Sequence, residues 1–556
     1  MNQEIRSCKR CNALFTLEPD DFSFYEKMKV PPPLVCPDCR FKMRALFRNE
    51  TTLYSGRKCA MCERGIISMY NPKSPYIVYC HDCYQSDKWD PFSHTKEYDL
   101  SRTFFEQLKE LFIAVPKATT YRSISSGPNI NSEYVNMAGG VKNSYFLFNS
   151  GLDEDCMYSR GIKYCSEIAD AYFGTRSNQS YEVINLQQSS KIMYGKNIVG
   201  SVDCYFGLNL SGCTDCFGCV NLSNKSHYFL NHPMKLEEYR QKVNKILGSY
   251  KKTEDFKKEF DIFSLNFPRR ESNSIKNTDS IGDYLYECKN VKYSFESVKS
   301  ENCRYLFSSK DIKDSIGTIG FGHQSEMLLE CTATGHSARV IGSFSVENSQ
   351  DVLYSFGLRY CHDCIGCDGL KNAKYCILNK QYSKAEYEKL RNTIIAELKL
   401  KDSYGLIIPP ELAPFSYNET MAQDNFPLSK EQVLQEGFKW EDDIQKTEGK
   451  ETLQPEDIPD HIRDVSDSVT LEILRCIACK RNYKIIEQEL QFYRKMNIPL
   501  PRKCFYCRHQ NRIIRRGPYK FWTRNCAKCE REITTNYAPD RPEIVYCEKC
   551  YQQEVY

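Results

Sequence analysis

The chain has 556 residues, 41% hydrophobic and 27% charged, with a formal net charge of +4. That length exceeds one ordinary domain and that apolar content excludes global disorder, so three or four folded domains are expected. The small net charge assigns no partner class, and the absence of an apolar run of about 18 residues excludes a membrane-spanning helix.

The opening segment, MNQEIRSCKRC, lacks the apolar stretch of a signal peptide and reaches a cysteine pair at once. Residues 1–92 hold four Cys-x-x-Cys pairs: Cys8/Cys11, Cys36/Cys39, Cys59/Cys62 and Cys80/Cys83. Residues 471–556 hold four more: Cys476/Cys479, Cys504/Cys507, Cys526/Cys529 and Cys547/Cys550. The spacings match, with 24 residues between Cys11 and Cys36 as between Cys479 and Cys504, and 17 between Cys62 and Cys80 as between Cys529 and Cys547. Phe24-Tyr25 through Pro33 reappears as Phe492-Tyr493 through Pro501, so the two modules are copies of one another.

A two-residue gap lets two thiolates wrap one ion at about 2.3 Å, and two such turns complete the tetrahedron that zinc prefers. Four thiolates leave no open position, which points to structural rather than catalytic metal. About four zinc ions per chain are therefore expected, with iron–sulfur clusters or redox-active pairs as the alternatives. Metal sites rather than a disulfide lattice also place the chain in a reducing, cytoplasmic compartment.

Cys8-Lys-Arg-Cys11 followed by Phe24-Tyr25 and Pro33 to Cys36-Pro-Asp-Cys39-Arg40 resembles the zinc-ribbon family of bacterial proteins. The second copy, Phe492-Tyr493 to Cys504-Phe-Tyr-Cys507-Arg508, resembles it too. The resemblance covers the two terminal modules only. It implies a zinc-ribbon or treble-clef fold, sequential pairing of neighbouring knuckles and no activity.

Residues 93–120 form a helical connector, with Phe104, Leu108, Leu111, Phe112 and Val115 on one face. Beyond it lie two copies of a central unit, at 121–260 and 275–400: Cys213-x-x-Cys216-x-x-Cys219 recurs as Cys361-x-x-Cys364-x-x-Cys367, 148 residues later. Short segments such as Asn143-Ser-Tyr-Phe-Leu-Phe-Asn149 recur about every 10–12 residues, with Asn, Asp or Gly at the corners. Read as period-two strands between turns, they predict a mainly β protein whose centre is a duplicated parallel β-helix, or solenoid. An antiparallel sandwich is the competing fold. Each unit closes with a helix, from Leu236 to about Leu247 and after the capping box Ser383-Lys-Ala-Glu386. The two triple-cysteine runs are expected to fill a narrow interior rather than to bind metal.

From Glu411 to Glu472 there are 16 acidic and 5 basic side chains, and residues 401–470 resemble an extended acidic linker. The last module carries 18 basic and 9 acidic residues between 470 and 556. Its candidate nucleic-acid contacts are Arg502, Lys503, Arg508, Arg512, Arg515, Arg516, Lys520, Trp522 and Arg524, interleaved with Phe505, Tyr506, Tyr519 and Phe521. Such a strip suits phosphates and stacked bases, so RNA or single-stranded DNA is one candidate partner. A solvated face or self-docking is the other outcome, leaving a zinc-binding scaffold with a protein partner. Catalysis has little support: no P-loop, GxSxG or HExxH occurs. A carbohydrate-cleaving β-helix would have to use Asp311, Asp314, His323 and His336, whose spacing defines no site.

Overall fold

The computed structural model describes residues 2–122, 126–444 and 446–555. It divides into two compact units, each discontinuous in sequence. The N-terminal unit comprises Met1–Thr119 with Ser272–Asp442, and the C-terminal unit comprises Thr120–Glu271 with Asp443–Tyr556. The first cysteine module thus shares a unit with the second central repeat, and the last module shares one with the first repeat. The chain is mainly β, and its two large sheets are dominated by parallel pairs.

In the C-terminal unit, strands from Val135–Asn136 to Ser226–Phe229 pair in parallel, so an antiparallel sandwich is not formed. The register advances by twelve residues: Ile168 lies beside Ser180, Ile192 beside Cys204 and Cys204 beside Cys216. The N-terminal unit repeats the pattern, with Phe295 beside Phe307, Val352 beside Cys364 and Cys364 beside Cys376.

The local rule is a period of three, not the period of two that the sequence pattern suggests. Tyr164, Glu167, Asp170, Phe173, Arg176 and Gln179 all have left-handed φ, as does nearly every third residue of both repeats. Each left-handed residue turns the chain, and the residue after it faces the interior. Hence Cys156, Ile162, Ile168, Ala171, Val183, Leu186 and Ile192 form one buried core, at multiples of three. Asn, Asp and Gly recur at the left-handed positions because they tolerate that conformation best.

Serines share the inward positions and hold the turns together. Ser189 Oγ donates to the Gln187 carbonyl at 2.7 Å and accepts the Ser201 N–H at 3.1 Å. Ser177, Ser337, Ser343 and Ser349 each make the same donation to the carbonyl two residues back. A small hydroxyl at the corner satisfies backbone groups that would otherwise be buried unpaired.

In the N-terminal unit the phase slips by one residue near Gly317–Gln324, where Ser315 Oγ accepts from Leu328 N across 13 residues rather than 12. A short antiparallel pair and a helix end each stack. Leu236–Ile246 follows the first, and Lys384–Leu400, whose N-cap Ser383 forms a capping box with Glu386, follows the second. The helix Phe104–Ala114 buries Phe104, Leu108, Leu111 and Phe112 as its apolar face requires.

The acidic stretch is not free chain. Within the N-terminal unit it forms short helices at Met421–Asn425 and Lys430–Gln435 and buries Phe415, Tyr417, Met421 and Val433. Apolar residues spaced among the carboxylates anchor it, so composition alone misjudged it as an extended linker.

Candidate metal centres and the basic helix

Each cysteine quartet is built the same way. The first pair sits in the tight turn of a hairpin, as between Glu4–Ser7 and Leu14–Leu17 or between Trp522–Asn525 and Glu532–Thr535. The residue after the second cysteine is left-handed in all four turns: Asn12, Glu63, Lys480 and Glu530. The second pair begins a helix. Cys36 caps Pro37–Ala45, Cys80 caps His81–Gln85, Cys504 caps Phe505–Arg516, and Cys547 precedes Glu548–Val555.

This geometry gathers Cys8, Cys11, Cys36 and Cys39; Cys59, Cys62, Cys80 and Cys83; Cys476, Cys479, Cys504 and Cys507; and Cys526, Cys529, Cys547 and Cys550. All ligand atoms of a group lie within 4.8 Å of one another. Neighbouring knuckles therefore pair sequentially, with no cross-bracing. The Cys11–Cys36, Cys62–Cys80, Cys476–Cys507 and Cys529–Cys547 sulfurs are 3.6, 3.8, 3.7 and 3.8 Å apart. Thiolates bound to zinc at about 2.3 Å in a tetrahedron stand about 3.8 Å apart, so the spacing fits that ion without adjustment.

Backbone N–H groups point at the same sulfurs, including Cys36 N to Cys8 Sγ, Cys80 N to Cys59 Sγ and Cys547 N to Cys526 Sγ, each 3.2 Å. Against the burial that raises them, such N–H bonds hold the Cys59 and Cys526 thiols down to about 6. The neighbouring Cys39 thiol lowers Cys36 to about 5. Thiolate is the ligating form, and the helix N-termini favour it further.

The triple-cysteine runs differ. Cys213, Cys216 and Cys219 occupy successive inward corners and are buried in the C-terminal unit's core, and Cys361, Cys364 and Cys367 do the same in the N-terminal unit. Among the described residues only the four terminal quartets gather as metal-competent groups. The three-residue spacing here follows from the period of the turn.

The basic helix Phe505–Arg516 lies against its own unit's parallel stack. Arg502, Arg508, Arg512 and Arg516 are 6, 9, 1 and 4% exposed, too little to lie along a nucleic-acid backbone in this arrangement. Arg512 reaches the buried Asp170 at 2.5 Å, and Arg508 lies 3.3 Å from the same carboxylate. Arg516 donates to Tyr172 Oη at 2.7 Å and covers the Tyr519 ring at 3.6 Å. Arg502 donates to the Ile458 and Pro459 carbonyls. Half-buried Arg515 lies 3.3 Å from Glu182, and Arg524 donates to the Ala538 and Glu543 carbonyls. Phe505 packs among Phe146, Phe148 and Tyr158, and Tyr519 Oη bonds Tyr172 Oη at 2.8 Å. Lys503 and Trp522 are half-buried, and Lys520 is exposed with its ammonium 5.5 Å from the Trp522 ring.

The N-terminal unit repeats this docking. Its helix Pro37–Ala45 and the residues after it carry Arg40, Arg44 and Arg48, which correspond to Arg508, Arg512 and Arg516 at the offset of 468 that relates Cys36 to Cys504. Arg40 reaches Glu330 at 2.7 Å, Arg44 pairs with the same carboxylate, and Arg48 lies 2.5 Å from Glu50. The signal was present in sequence as Cys-Arg-x-x-x-Arg-x-x-x-Arg in both modules, although residues 1–92 have only 14 basic against 11 acidic side chains.

Of the residues a carbohydrate-cleaving site would need, Asp314 accepts from Asn302 and Lys27. The His323 and His336 rings are stacked with centroids 6.0 Å apart, as successive rungs of the parallel stack place them. No described helix is long and apolar enough to cross a membrane. No protein-family model matches the chain, and no curated protein matches it.

Proposed function

We propose that the chain is a non-catalytic scaffold whose terminal modules each hold two structural zinc ions and whose two parallel stacks wind as β-solenoids. The carrying observation is that every quartet closes on four cysteine sulfurs at tetrahedral spacing, leaving no coordination position for substrate. The hairpin turn followed by a ligand pair at a helix N-terminus is the arrangement of a treble clef. Twelve-residue parallel register with one inward residue in three supports the solenoid. Twenty-nine cysteines without a disulfide among the described residues suit a reducing, cytoplasmic setting. Zinc chelation should abolish the hydrogen-exchange protection of both terminal modules, because structural zinc contributes about 10–16 kcal/mol per site to folding in small modules. Retained protection after complete metal removal would overturn the structural role.

RNA or single-stranded DNA binding is the second reading, favoured by the exposed Lys520 beside Trp522 and by the half-buried Lys503. With Arg502, Arg508, Arg512 and Arg516 buried and Arg524 held by two carbonyls, three cations of the strip remain, Lys503, Arg515 and Lys520. Their log–log salt slope for a single strand should then be no steeper than about −2. A slope near −3.5 in a salt titration would require the buried arginines to be released, which contradicts the docked arrangement.

A further inference from the structure

The two units are built alike around their docked arginines, and the C-terminal unit keeps an open cavity beside them. It measures about 320 Å³ and lies between the helix Tyr250–Ser264, the segment Pro499–Lys503 and the outer side of the stack at Glu182 and Tyr194.

The N-terminal unit supplies the internal control. Taking the docked carboxylates Asp170 and Glu330 as equivalent, Glu182 and Tyr194 correspond to Gly342 and Tyr354. There the chain fills the space itself. Ile408 N donates to Gly342 O, Gly405 N donates to Tyr354 Oη at 2.9 Å, and Ile407 and Ile408 are buried. A Cβ on Gly405 would stand 2.1 Å from Val30, and one on Gly342 would stand 2.6 Å from the Leu406 carbonyl, so both glycines are demanded by the filling. Four module positions that line the open cavity are polar there and apolar in the closed copy. Leu34, Val35, Met43 and Phe47 become Arg502, Lys503, Asn511 and Arg515 at the same offset of 468.

Apart from Arg508, whose Nε lies 3.3 Å from Asp170, two side chains lining the open cavity are more than nine-tenths buried and each leaves a polar atom without a hydrogen-bond partner: Arg502 Nη1 and Thr253 Oγ1. An orphaned guanidinium N–H is costly unless something completes it. The lining carries six cationic side chains against three carboxylates. Glu182 is met by Lys257 at 3.0 Å and Arg515 at 3.3 Å, and Glu254 by Lys257 at 2.8 Å. Asp261 lies at the exposed rim. Lys503 is the cation at the Arg502 end that no lining carboxylate meets. Tyr250, already covered by the Arg502 guanidinium at 4.7 Å, and the exposed Ile514 offer an apolar wall.

We propose that this cavity binds a small organic anion, whose carboxylate or phosphate group is held by Arg502, Lys503 and Thr253 and whose body rests on Tyr250 and Ile514. Guanidinium and hydroxyl donors suit either oxyanion, and the volume admits a molecule of metabolite size but not a folded partner. None of these residues is a metal ligand, but Arg502 and Lys503 lead into Cys504, so the site rests on the proposed zinc module being folded and the titration is made on the metal-loaded chain.

Calorimetric titration of the full chain with inorganic phosphate, citrate and uridine monophosphate, each against chloride at matched ionic strength, tests it. At least one oxyanion probe should bind saturably. Its affinity should fall about tenfold in Lys503→Glu and measurably in Thr253→Val, and remain unchanged in Lys520→Ala, outside the cavity. The preferred probe distinguishes a phosphate from a carboxylate ligand. Arg502 itself is left intact because it also anchors the Ile458 and Pro459 carbonyls. Absence of binding above chloride for all three probes overturns the proposal, as does binding that survives Lys503→Glu and Thr253→Val undiminished.

Discussion

Asp170 and Glu330 are fully buried carboxylates that each receive two arginines from a cysteine-bearing helix. Such groups are expensive to bury and more expensive to leave unpaired, so removing one side should cost about 3–5 kcal/mol. Asp170→Asn is expected to destabilise the C-terminal unit alone and Glu330→Gln the N-terminal unit alone. Hydrogen exchange resolved by peptide separates the two, and equal loss in both units from either substitution would contradict the unit assignment. The interior serines act at the same scale. Ser189→Ala strips the Ser201 N–H of its acceptor and should cost about 1–3 kcal/mol in denaturant unfolding. A neutral result would mean that the corner hydroxyls are not needed to satisfy the backbone.

At the scale of elements, much was legible and one rule was not. The helix Phe104–Ala114 followed from its apolar face and the one after Ser383 from a capping box, and both formed where those signals lie. The four cysteine quartets followed from cysteine spacing, because metal geometry fixes distances that sequence spacing must meet. The stack misled because its Tyr-Phe-rich segments resemble alternating strands. A left-handed residue at every third position replaces that alternation, and propensity for it is spread thinly over Asn, Asp, Gly and aromatic residues. Cys213-x-x-Cys216-x-x-Cys219 displayed the true period, but a three-residue cysteine spacing also suits metal, so the two causes were confounded. They separate experimentally. Replacing Cys213, Cys216 and Cys219 together by Ala should leave the metal content of the chain unchanged, whereas Cys526→Ser should remove about one ion per chain. A fall in metal content from the triple substitution would make the interior cysteines ligands.

For the molecule as a whole, the sequence order of modules differs from their grouping in space. Each terminal module lies in one unit with the distal repeat, a partnership that composition could not disclose because the contacts join residues some 290 to 340 positions apart. The basic strip illustrates the consequence. Counted along the chain it resembles a nucleic-acid surface, but folding turns four of its arginines onto the unit's own carboxylate, hydroxyl and carbonyl groups. Charge that is spent internally contributes neither to steering nor to salt dependence. The sixteen terminal cysteines are expected to form four closed tetrahedral sites, and the metal content of the molecule follows from that number. Elemental analysis of the purified full chain measures it directly. Close to four zinc ions per chain is the predicted result, and two or fewer, or stoichiometric iron, would contradict it.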